Sequence, residues 1–178
     1  MRAFDAMAIL KKWDKRGRYV FTKGDLAKLL NEPADSLNKT LERLVKAGVL
    51  VRASRGVFVF GYSEHLGVYI LEEIAQTLRR YEYNYLSLES ALSEWGAISQ
   101  VPLNRITVMT TGRKGEFRTP YGVIEFVHTE CRPETIIANT TSRNPHPLPI
   151  ASVELALANQ KRVRRNYFLL NENYKENQ

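Results

Sequence analysis

Residues 34–60 read ADSLNKTLERLVKAGVLVRASRGVFVF. Leu37, Leu41, Leu44 and Val45 recur at i, i+4, i+7 and i+8, the spacing of one face of an α-helix. Gly48 is placed to close that helix as a left-handed cap. The other face offers Ser36, Asn38, Lys39, Thr40, Arg43 and Lys46, with Glu42 as its acid and Asp35 in the capping region. Val49–Ala53 and Val57–Phe60 then read as two short strands joined by the basic turn Ser54-Arg55-Gly56.

Upstream, Ala6, Ile9, Leu10 and Trp13 form the apolar stripe of a first helix that Gly17 ends, with Lys15 and Arg16 in its last turn. Tyr19-Val20-Phe21 reads as a short extended link. Thr22 is an expected N-cap, partnered by Asp25 three residues on. A second helix runs to about Leu30, burying Leu26, Leu29 and Leu30, and Asn31-Glu32-Pro33 breaks it. The order helix, helix, helix, hairpin over residues 1–62 predicts a winged helix-turn-helix. Its third helix would lie in the major groove and the turn at Arg55 would be the wing. Two blander readings stay open: an amphipathic helix whose polar face is only solvated, and a winged helix that docks a protein.

Charge favours the first reading. Residues 1–60 carry 13 Lys+Arg against 6 Asp+Glu, whereas residues 61–178 carry 13 of each. The entire net charge of +7 therefore sits on the first third of the chain, and a local cationic excess on a compact helical module suits the phosphates of duplex DNA. Asn38 and Arg43 have the geometry for bidentate contacts to adenine and guanine edges. Ser36, Lys39 and Thr40 are candidates for bases or phosphate. Lys23, Lys28, Lys46, Arg52 and Arg55 are candidates for phosphate, contacts that position a protein without choosing a sequence.

Gly61–Gly67 reads as a hinge to a second domain, residues 66–178. A helix is expected over about Val68–Tyr81, and another from Ser87, its N-cap, through Leu88, Ala91, Leu92 and Trp95 to Gly96. Arg105–Thr111, Glu116–Thr119 and Val123–His128 are expected to form a small antiparallel meander, turned at Gly112-Arg113-Lys114-Gly115 and Pro120-Tyr121-Gly122. A final helix starts at Val153, and the polar tail from Asn171 is expected to fray. The fold class predicted is α+β: a winged helix-turn-helix followed by an α+β domain with a small antiparallel sheet.

Tyr85-Leu86-Ser87-Leu88-Glu89-Ser90-Ala91-Leu92, followed by Trp95-Gly96, resembles the Y-x-S-L-x-S-A-L…G segment of the AbiE-type abortive-infection antitoxins. Ile106-Thr107-Val108, Thr110-Thr111-Gly112-Arg113, Phe117-Arg118-Thr119-Pro120 and Phe126-Val127-His128 are similar to that family too. Pro149–Glu154 resembles its later I-A-T-P-E-K-A-L element, with Ser152-Val153 where Thr-Pro is usual and Leu155 where Lys is usual. The resemblance implies the antitoxin of a type IV toxin–antitoxin pair in phage defence. Its N-terminal domain would bind inverted repeats in the pair's own promoter and repress it, with a dimer on DNA. Its C-terminal domain would counter a nucleotidyltransferase toxin without a stable complex. The alternative is a stand-alone winged-helix regulator, or an interaction module, with no antitoxin activity.

No enzyme, metal site or cofactor is expected. Residues 61–178 contain no Asp, which argues against a metal-dependent nuclease or nucleotidyltransferase. His65, His128 and His146 lack metal-ligand spacing with Cys131, and His128 reads as a structural hydrogen-bonding residue. Arg113, Lys114 and Arg118 are either solvated charges or an extra contact to nucleic acid or a nucleotide; the Gly112–Gly115 turn lacks Walker spacing. Lys161-Arg162-Val163-Arg164-Arg165 is either a solvated helix face or a second DNA or antitoxic contact. One cysteine excludes an intrachain disulfide. With no membrane-length apolar run and no signal-peptide core, a cytoplasmic protein is expected.

Overall fold

Helix α1 (Ala3–Asp14) buries Ala6 and Leu10, as its spacing requires, and also Asp14. The computed structural model describes residues 2–98 and 104–164. They form a mixed α+β fold with seven helices, divided into two compact units: Met1–Leu78 with Thr119–Tyr121, and Arg79–Arg118 with Gly122–Gln178. Among the described residues no helix is long and apolar enough to cross a membrane.

In the first unit, the stretch expected as an extended link is strand β1 (Val20–Thr22). It is followed by α2 (Lys23–Leu29), α3 (Ala34–Lys46), β2 (Leu50–Ser54), β3 (Val57–Phe60) and α4 (Ile70–Leu78). Thr22 and Asp25 form the expected capping box: the Asp25 N–H donates to Thr22 Oγ1 at 3.1 Å, and the Thr22 N–H donates to Asp25 Oδ2 at 2.8 Å. The strands make an antiparallel sheet of order β1-β3-β2. All four residues of the central β3 are buried, so it needs cover on both faces, and α4 packs against β1 and β3.

The segment expected as a hinge therefore lies inside this unit, which runs on to Leu78. It is also tied down. Ser63 Oγ and the Glu64 N–H both donate to the buried carboxylate of Asp14, the latter at 3.1 Å. The Gly61 N–H donates to the Val49 carbonyl at 3.0 Å, and the His65 ring stacks on Tyr19 with centroids 5.9 Å apart. A buried carboxylate needs donors, and this loop supplies them.

The second unit contains β4 (Asn84–Leu86), α5 (Leu88–Glu94), β5 (Arg105–Thr110), β6 (Gly115–Thr119), β7 (Gly122–His128), α6 (Pro133–Ala138), β8 (Thr140–Thr141), β9 (Ile150–Ala151) and α7 (Val153–Val163). The expected small antiparallel meander is replaced by a six-stranded mixed sheet of order β6-β7-β5-β4-β9-β8. β7 inserts between β5 and β6 and runs parallel to β5, pairing Ile106 with Ile124 and Val108 with Phe126. That register stacks the buried Val108, Ile124 and Phe126, and leaves the alternately exposed β6 at the edge.

Strand β4 turns directly into α5 at Ser87-Leu88, which places Leu88 at φ 52°, outside the usual range for a branched residue. Ser87 stands at the N-cap position but makes no cap bond. Its Oγ instead donates to Asn159 Oδ1 at 2.8 Å, and Tyr85 OH donates to the same oxygen at 3.3 Å. These bonds pin α7 to α5 inside the unit. The neighbouring Gln160 is fully buried, and among the described residues neither polar atom of its amide has a hydrogen-bond partner.

Candidate nucleic-acid interface

The inward face of α3 consists of Leu37, Thr40, Leu41 and Leu44. At about 100° per residue, Ser36, Lys39, Arg43 and Lys46 then fall on one outward stripe. Lys39, Arg43 and Lys46 are exposed, as are Asn38 and Glu42. The stripe lines an open depression of about 600 Å³ shared with Glu32 and Glu42.

Two expectations change here. Thr40 was expected to reach bases or phosphate, but it is 1% exposed and its Oγ1 accepts from Arg43 Nη2 at 3.1 Å. It lines the floor of the depression and orients Arg43. Ser36 is half-buried, and its hydroxyl donates to Glu32 Oε2 at 2.5 Å and to the Pro33 carbonyl at 3.2 Å. Asn38 and Arg43, each expected to read a base edge, are both exposed and project about 140° apart around the helix axis.

The helix-break Asn31-Glu32-Pro33 also hides a site residue. The Glu32 carboxylate accepts from the Ser36 hydroxyl at the start of α3 and borders the same depression as the basic stripe. Arg18, likewise unassigned in the sequence, bonds to Asp25 Oδ2 at 3.0 Å. It also covers the rings of Trp13 and Phe21, each at 5.7 Å. Sequence alone signals neither contact, because both depend on the chain path.

The remaining candidates of this unit are exposed. Lys23 opens α2, and its N–H donates to the Gly56 carbonyl at 2.8 Å. That bond sets the start of α2 beside the Ser54-Arg55-Gly56 turn, so Lys23 and Arg55 are brought together. Gly56 makes this turn at φ 78°, a conformation glycine adopts without steric cost. Arg52 lies over the Phe58 ring at 5.5 Å, its cross-strand partner. Lys28 is exposed in the last turn of α2.

The candidates of the second unit divide. Arg113 and Lys114 are exposed in the loop between β5 and β6, a crossover and not a hairpin turn, since those strands do not pair. Arg118 pairs with Glu116 at 3.1 Å and Arg162 with Glu130 at 2.9 Å. Lys161 and Arg164 are exposed; Arg165 and the tail from Asn171 lie outside the described residues. His128 Nδ1 sits 2.8 Å from the Gly112 carbonyl oxygen. Among the described residues no three His, Cys, Asp or Glu side chains converge closely enough to hold a metal ion.

Comparison with solved structures finds the crystal structure of the RV2827C protein from Mycobacterium tuberculosis. It is similar with a TM-score of 0.58 and 18% identity, over 85% of this chain and 58% of that one. At that identity the likeness concerns the fold alone, and this chain matches little more than half the length of its neighbour. None of the curated proteins compared with the chain matches it. The family described as "Family of unknown function (DUF6088)" matches residues 8–143, well over half of the sequence, and the protein belongs to that family.

Proposed function

We propose that the protein binds duplex DNA through α3 and represses the promoter of its own operon as the antitoxin of a type IV toxin–antitoxin pair. One observation carries the DNA reading: α3 is solvated on one side only, and that side presents Lys39, Arg43, Lys46 and Asn38. In this reading the first unit is a winged helix-turn-helix. α3 enters the major groove and the Lys23–Arg55 corner, with Arg52, meets the flanking backbone as the wing. One such module buries too little surface for tight specific binding, so two protomers on inverted half-sites are expected.

The antitoxin half of the proposal rests on the resemblance of Tyr85–Leu92 and the strands that follow to AbiE-type antitoxins. The second unit would then oppose a nucleotidyltransferase toxin in the cytoplasm without a stable complex. The alternative is a regulator or interaction module with no toxin to counter.

Binding of the full chain to duplex from its own upstream region, measured across salt concentrations, tests the DNA reading. With five or six phosphate contacts, log K should fall against log salt with a slope of roughly −5. A slope near zero excludes it. Co-expression with the neighbouring gene tests the antitoxin half separately: a neighbour that is not a toxic nucleotidyltransferase removes that half and leaves the DNA reading standing.

A further inference from the structure

The Gly112 loop of the second unit borders an open depression of about 870 Å³ that no part of the DNA reading uses. It is lined by Glu82, Thr111, Arg113, Lys114 and His128. Thr110 and His128 are register partners at the ends of the parallel pair β5 and β7. The strand ends therefore deliver the basic loop and the imidazole to one place.

The loop is held from behind. Arg79 Nη2 donates to the Arg113 carbonyl at 3.1 Å, and the Arg79 guanidinium lies over the rings of Phe117 and Phe126 at 5.3 and 4.9 Å. The backbone of Arg113 is thus clamped while the side chains of Arg113 and Lys114 stay exposed. His128 is oriented too. A carbonyl oxygen only accepts, so the 2.8 Å contact to Gly112 puts the proton on Nδ1 and leaves Nε2 turned away from that bond. Glu82 also adjoins Gly112, and its Oε2 accepts from Thr111 Oγ1 at 2.8 Å. Gly112 permits this carboxylate to come close, since a Cβ there would lie 2.9 Å from Glu82 Cγ.

The depression therefore carries two kinds of group. Arg113 and Lys114 suit phosphate oxygens, whereas His128 Nε2, an acceptor in this tautomer, suits a hydroxyl donor. Glu82 repels phosphate, but it accepts hydrogen bonds from sugar hydroxyls, the role an acidic residue plays against ribose in dinucleotide sites. The volume falls in the range of about 300–1,000 Å³ typical of small-ligand pockets. We infer that this depression binds a free mononucleotide, its phosphates on Arg113 and Lys114 and its ribose hydroxyls toward Glu82 and His128 Nε2. The inference is independent of the DNA reading, since it concerns other residues in the other unit.

The test is a titration of the full-length chain with ATP, GTP, CTP and UTP, followed through the NMR signals of the His128 ring, with tripolyphosphate and a single-stranded oligonucleotide as comparison arms. At least one nucleotide should shift His128 saturably and bind about tenfold tighter than tripolyphosphate. The R113A/K114A protein should lose about tenfold in affinity, or about 1.4 kcal/mol, with an unchanged melting temperature, because both side chains are exposed. Glu82→Gln should narrow the gap between nucleotide and tripolyphosphate. The proposal is overturned by no His128 response to any nucleotide, by equal affinity for tripolyphosphate, by an R113A/K114A protein that binds as before, or by a response to the oligonucleotide alone.

Discussion

A Cβ on Gly61 would lie 2.5 Å from the carbonyl oxygen of Gly48. Two backbone segments of the first unit, the end of α3 and the strand exit after β3, approach each other there with no room for a side chain. Gly61→Ala must push backbone against backbone, and it should cost roughly 2 kcal/mol or more. Gly115→Ala is the control, because its Cβ would meet only Phe117 Cε2 at an ordinary 3.6 Å. Urea midpoints of the two variants should differ clearly; equal midpoints would remove the close approach.

Glu73 should make the fold more stable in acid. Burial first, then the neighbouring Glu72, pushes its pKa above the ordinary 4.5, with His65 partly offsetting them. The folded state thus holds the proton more tightly than the unfolded chain. Stability from this group is complete below pH 4.5 and is lost as pH rises through the raised value. Glu73→Gln should therefore raise the melting temperature at pH 7 and give little gain at pH 4. A variant less stable than the parent at pH 7 contradicts this.

Gln160 and Asn159 are adjacent on α7 and should respond oppositely to substitution. Gln160→Met keeps the volume and removes a buried amide whose atoms have no partner among the described residues, so a gain of about 1–2 kcal/mol is expected. Asn159→Ala strips the acceptor from Ser87 and Tyr85 and should cost roughly 1–3 kcal/mol. Chemical denaturation of both variants decides it, and a destabilised Gln160→Met protein contradicts the expectation.

On α3, Lys46→Ala should weaken DNA binding for all sequences alike and reduce the salt slope by about 1, while moving stability by less than about 0.5 kcal/mol. Asn38→Ala should instead flatten preference at a single base position. Thr40→Val leaves Arg43 without the hydroxyl 3.1 Å away and should act on recognition only through Arg43. If Thr40→Val abolishes binding while Arg43→Ala does not, Thr40 touches DNA and its buried placement is wrong.

The first unit was largely readable because its signals are local. The 3.6-residue spacing of Leu37, Leu41 and Leu44, the Thr22–Asp25 cap and the turn at Gly56 each lie within a few neighbours of one another. The second unit was not. Ile106-Thr107-Val108 and Ile124-Glu125-Phe126 alternate in the same way whether their strands run parallel or antiparallel, so the pattern could not show that β7 inserts beside β5. β4, β8 and β9 are two or three residues long, too short for periodicity to register. At the candidate interface, composition identified α3, but the helix rotation that buries Thr40 is set by packing. The hydrogen bond that puts Glu32 over Ser36 needs coordinates to be seen.

Leu86 pairs with Ile150, and β9 lies between β4 and β8. A chain growing from the ribosome exposes one edge of β4 from the moment that strand forms, and nothing can cover it until residue 150 has emerged. During that interval the nascent protein carries an open template for other strands. A product arrested short of β9 should therefore be insoluble or need a chaperone, whatever the stability of the finished molecule.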